Sequence, residues 1–91
     1  MDDLRAYAAR QQEVRLLSLA ELYRMRIASR LKSAHHKRIA EASGLDADEV
    51  LFALEVMAEA SWVVQERFHW RISPAGCAEF ERSLHDGAHH A

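Results

Sequence analysis

Proline occurs once, glycine three times and cysteine once among the 91 residues. So few breakers leave no room for low-complexity linkers. The single thiol, Cys77, rules out an internal disulfide and the small secreted scaffolds that depend on one. No stretch approaches the ~20 apolar residues that a bilayer span requires. The opening Met1-Asp2-Asp3 has neither the basic region nor the apolar run of an export leader. A cytoplasmic protein with no membrane attachment is therefore expected. An excess of either charge is also missing: 12 Lys and Arg face 14 Asp and Glu, a net charge of −2. The molecule as a whole has no attraction for a polyanion, and any basic footprint must be local. A Gly-rich phosphate loop, a metal-ligand pair flanking a Glu and a strand-embedded nucleophile are all lacking, so neither an enzyme nor a cofactor is expected.

What remains is a short, alanine-rich chain of one domain's size, 49% apolar with sixteen alanines, enough for a small helical core. Ser18-Leu19-Ala20-Glu21 reads as a capping box, in which the serine oxygen accepts from the amide three residues on and the glutamate reaches back. A helix is expected to begin there. Leu19, Leu22 or Tyr23, Ile27 and Leu31 form its apolar face, with Arg24, Arg26, Arg30 and Lys32 turned to solvent. Leu4, Tyr7, Ala8, Gln11 and Val14 repeat the period in a separate helix over residues 3–16. The expected organisation is an N-terminal, dimer-forming helix over 1–17, a domain over 18–85 and a frayed tail over 86–91.

Ser33 can cap a short helix that ends at Ala42-Ser43-Gly44, and Asp46 or Ala47 opens another running to Ala60. Val50, Leu54 and Met57 would line the inner face of that second helix. Trp62–Gln65 and Phe68–Ile72, rich in β-branched and aromatic residues, flank Glu66-Arg67 as a hairpin. Its turn lacks glycine and is expected to be looser than two residues. Phe68, Trp70 and Ile72 would face the core, with Trp62 and Trp70 closing it. Ser73-Pro74 starts a last helix with Cys77, Phe80 and Leu84 on its apolar stripe and Gly87 as its stop.

The run HKRIAEASGLDADEVLFALE, His36 to Glu55, resembles the helix-turn-helix signature: small Ala40 at the helix contact, Gly44 at the turn, Val50 six residues on. The closing RISPAG, Arg71 to Gly76, is similar to the end of the wing in bacterial winged-helix regulators. The resemblance spans about residues 18–84. It implies a mainly α fold with a small β-hairpin, a winged helix-turn-helix carrying an additional N-terminal helix. It also implies a DNA-binding transcriptional regulator, with the helix after Asp46 in the major groove.

The residues of that helix depart from the pattern. With Val50, Leu54 and Met57 inward, Asp48, Phe52, Glu55, Val56 and Glu59 fall outward, three acids and two apolar residues where base readout needs Arg, Lys, Asn or Gln. DNA would then be held by phosphate contacts from Lys37, Arg38, Arg67, His69 and Arg71, with a homodimer setting the spacing. The alternative is a protein-interaction module, adaptor or inhibitor, whose Asp48, Phe52, Glu55, Val56 and Glu59 bind a partner with a basic surface. A third reading covers Phe52 as core with the N-terminal helix of the same chain or of a second subunit. Six histidines do not amount to a metal site: His85 and His89 share a spacing of four but straddle Gly87 in the tail, and Cys77 sits on an apolar stripe as a buried thiol.

Overall fold

The computed structural model describes residues 2–29 and 32–89, the side chains of residues 2 and 86–89 excepted. Among these the chain is mainly helical with one small antiparallel hairpin: α1 Asp2–Ala28, α2 His36–Ser43, α3 Ala47–Glu59, β1 Val63–Glu66, β2 His69–Ile72 and α4 Pro74–His89.

The chain does not start a helix at Ser18. α1 is one helix of 27 residues, about 40 Å at 1.5 Å per residue, as long as the molecule's longest dimension of 40 Å. The cause is a buried face that runs straight through residue 18. Gln11, Val14, Ser18, Leu22 and Met25 recur at three or four and are all buried, and Ser18 is fully enclosed. Met25 takes the place expected of Ile27, which is 72% exposed. Arg26, expected in solvent, turns inward and donates from Nη1 to the Ile72 carbonyl at 2.9 Å. Leu31 lies outside the described residues.

The cap of α2 is His35, not Ser33: its Nδ1 accepts from the Lys37 amide at 3.1 Å. Gly44 ends α2 at φ 69°, and the Leu45 amide returns to the Ala40 carbonyl at 2.9 Å. Asp46 then caps α3, its Oδ2 accepting from the amides of Asp48 and Glu49 at 3.0 and 3.1 Å. Ala40 on α2 and Ala53 on α3 are both buried, and small side chains let the two helices approach closely.

The hairpin is shifted by one residue from expectation. Glu66 pairs with His69, so the turn is Arg67-Phe68, two residues only, with Arg67 in the left-handed region at φ 58° that such turns require. Phe68 consequently stands at the tip, 75% exposed, while Trp70 and Ile72 face the core. Ala34 adds one residue of a third strand, exchanging both backbone hydrogen bonds with Trp70 at 3.1 and 2.8 Å. α4 seats on Trp62. The Ser73 amide donates to the Trp62 carbonyl, the Ser73 hydroxyl donates to the Ser61 carbonyl and accepts from the Gly76 amide. A Cβ on Gly76 would lie 2.0 Å from the Trp62 oxygen, so only glycine fits. α4 continues through Gly87 to His89, past its expected stop. Phe80 is buried and stacks on Tyr23 at 4.8 Å, but Leu84 is mostly exposed. Cys77 is only partly buried.

Candidate functional site

α3 presents two faces of opposite character. Inward, Val50, Ala53, Leu54 and Met57 have no exposed surface. Outward, Asp48, Phe52, Glu55 and Glu59 are exposed and Val56 is half-buried. Phe52 retains 47% of its surface, so its own chain does not enclose it as core. α3 carries four acids and no Lys or Arg, and the capping Asp46 precedes it. Exposed aromatic surface ringed by carboxylates is the chemistry of a docking face for a group that is both apolar and cationic.

α2 borders this face. His36 stacks against His35 at 4.3 Å between ring centres, and the carboxylates of Asp48 and Glu55 act on it electrostatically. Partial burial pushes its pKa down, with His35 and Lys37 adding to the effect and Asp48 and Glu55 opposing it. The shift favours the uncharged imidazole.

The five residues expected to clamp phosphate lie on two elements, α2 and the hairpin. Lys37 and Arg38 are exposed on the first turn of α2, and Arg67 and His69 are exposed on the hairpin. Arg71 is engaged: its Nε donates to Glu66 on the paired strand at 2.6 Å, which cancels one cation of the hairpin. A salt bridge of this exposure contributes little to stability. It does lower the positive potential that a phosphate would meet.

Two features escaped the sequence reading. Arg10 on α1 forms a bidentate pair with Glu49 on α3, at 3.1 Å from both Nε and Nη2, an exposed tie between two helices that pack through their buried faces. No sequence signal links residues 39 apart. Between α1 and α4 lies a groove of about 300 Å³ floored by Leu16, Leu19, Met57 and Trp62 and rimmed by Gln12, Arg15, Glu79 and Ser83. The spacing of Leu16 and Leu19 was its only trace.

Among the described residues no group of three or more His, Cys, Asp or Glu side chains is placed to hold a metal ion, and no helix is long and apolar enough to cross a membrane. The His89 and His90 side chains lie outside the described residues. Comparison of the chain with family profiles, with characterised proteins and with solved structures gives no match in any of the three, so its site is read from its own geometry.

Proposed function

We propose that the chain is a winged helix-turn-helix module that acts as a protein-interaction element, binding a basic, partly apolar protein segment through the outward face of α3. The winged-helix reading is supported by the order α1, a single bridging residue at Ala34, α2, a glycine corner, α3, a two-stranded wing and α4. It is supported further by Gly44 and Val50 holding the positions that the helix-turn-helix resemblance requires.

The observation that carries the interaction reading is Phe52, 47% exposed among Asp48, Glu55 and Glu59 on a helix without a cation. An aromatic anchor in such a setting is worth about 2 kcal/mol or more to a complex, roughly thirtyfold in affinity. The test is a titration followed by amide chemical shifts, using a short amphipathic peptide of Lys, Arg and Leu as probe and a duplex in parallel. Shifts confined to α3 and its neighbours in α2, lost in Phe52→Asp without a change in melting temperature, support the reading. A Phe52→Asp chain that binds the peptide like the parent refutes it.

Phosphate-held DNA binding by a small transcriptional regulator is the second reading, favoured by the exposure of Lys37, Arg38, Arg67 and His69. In that case the duplex shifts α2 and the wing, and binding weakens steeply with salt.

A further inference from the structure

The groove between α1 and α4 has a rim on which one charge is answered and the other is not. On the α4 side Glu79 is held at both carboxylate oxygens by Arg82, and the Ser83 hydroxyl donates to the Glu79 carbonyl at 3.0 Å. On the α1 side Arg15 is half-buried, yet among the described residues it makes no hydrogen bond or ion pair. Arg10, Arg24 and Arg26 on the same helix are each engaged within the chain. The guanidinium of Arg15 thus keeps its N–H donors for another acceptor. Drawing a cation partly out of water without a partner is unfavourable, and an anion beside it relieves that cost.

The floor and the far rim narrow what that anion is. Leu16, Leu19, Met57 and Trp62 line a space of about 300 Å³, at the small end of the ~300–1,000 Å³ of ligand clefts. Such a surface takes a small ring system, with aromatic area from Trp62 and the Met57 thioether to meet it. Gln12 stands three residues from Arg15 on the same helix face, so an amide and a guanidinium flank one end. The parallel N–H groups of a guanidinium match the two oxygens of a carboxylate. A dicarboxylate fits less well, because Arg15 is the one unpaired cation among the described lining residues and the Glu79 carboxylate lines the other rim.

We propose that the groove between α1 and α4 binds a small aromatic monocarboxylate, with its carboxylate on Arg15 and its ring over Leu19, Met57 and Trp62. The site meets α3 at the inward Met57 and not at the outward Phe52, so it is independent of the α3 face and stands or falls without it.

The probe is 2-naphthoate, with 2-naphthamide as its uncharged counterpart, titrated into the full chain at about pH 7, where the acid is ionised. Calorimetry reads the affinity, and amide and indole N–H chemical shifts read the place. The expected result is saturable uptake of one naphthoate per chain, with shifts centred on Trp62 and the facing turns of α1 and α4. Naphthamide binds at least about tenfold more weakly, as expected when a charge-assisted pair is lost. That comparison needs no variant. Arg15→Gln lowers naphthoate affinity by about the same factor and leaves naphthamide binding as it was, while Leu16→Glu, at a 45% exposed position, removes both. Each variant is first shown to melt as the parent does. Naphthoate that does not saturate, naphthamide that binds as tightly, or an Arg15→Gln chain that binds naphthoate like the parent overturns the proposal. So does a groove closed by a second copy, seen as twice the chain mass with no naphthoate uptake.

Discussion

Replacing Ser18 with alanine separates two accounts of α1 by the sign of a single number. If Ser18 capped a helix starting at residue 19, its loss would cost about 1 kcal/mol, since an amide of the first turn would lose its acceptor. In the structure Ser18 is in mid-helix, fully buried, and its hydroxyl has no hydrogen-bond partner. A buried hydroxyl without a partner is destabilising by roughly 1–3 kcal/mol, of which alanine recovers a part. Alanine also has the higher helix propensity, by about 0.5 kcal/mol. The hydroxyl is small enough that the vacated space costs less than this gain. The expected outcome is a stabilisation of about 1–2 kcal/mol. At roughly 4–8 °C per kcal/mol for a domain of this size, the melting temperature rises by about 5–15 °C. Thermal unfolding followed by circular dichroism, backed by urea midpoints at unchanged slope, reads it directly. A lower melting temperature for Ser18→Ala would refute the continuous helix and restore a helix start at that residue.

Two further outcomes test the corner under α4 and the border of the α3 face. Gly76→Ala forces a Cβ to within 2.0 Å of the Trp62 carbonyl oxygen, and since that neighbour is backbone, the strain of about 1–3 kcal/mol or more outweighs the ~1 kcal/mol helix benefit of alanine; a melting temperature equal to the parent's would contradict the close approach. His36 has its folded pKa below the unfolded value, chiefly through burial, so the unfolded chain takes up the proton first as pH falls. Stability from this group is complete above about pH 6.5 and declines as pH drops from there through the lower folded pKa; urea midpoints between about pH 7.5 and 5 lose that component of their slope in His36→Asn, and an identical pH profile in the two chains would exclude the effect.

The corner between α2 and α3 was legible because each of its constraints is local. Gly44 is needed by a left-handed residue, Asp46 by two free amides, and Val50, Leu54 and Met57 by one helix face. The outward set followed by geometry alone, with no partner to locate. The errors came where a local signal competed with a longer one. Ser18 and Glu21 satisfy a capping pattern, yet the stripe from Gln11 to Met25 binds the region into one helix, and burial of a whole face outweighs one cap. In the hairpin, alternation was read correctly for Trp70 and Ile72, but the register depends on which residue adopts positive φ. Nothing in Arg67 announces that choice, and it sends Phe68 to the tip. Gly87 was read as a stop, although helix propensity makes glycine costly in a helix without forbidding it. The Arg10–Glu49 pair and the groove between α1 and α4 are products of tertiary placement; the pair has no local trace, and the groove has only the spacing of Leu16 and Leu19.

The inner and outer positions of α3 answer to different requirements, and this separates fold from function here. Val50, Ala53, Leu54 and Met57 are dictated by the core, so any chain with this corner must supply something like them. Asp48, Phe52, Glu55 and Glu59 keep exposed surface, so the core alone does not dictate them. A carboxylate about 6 Å from a phosphate in water is repelled by roughly 0.7 kcal/mol, so three such groups in a major groove would cost about 2 kcal/mol before screening. At similar distances the three exposed cations Lys37, Arg38 and Arg67 would return the same ~2 kcal/mol, so the two sets nearly cancel. Opposite a cationic segment the same three carboxylates attract, and Phe52 gains by burial instead of remaining wet. The balance of these two sums rests on the sign of three side chains, which is why the corner alone does not decide what α3 binds.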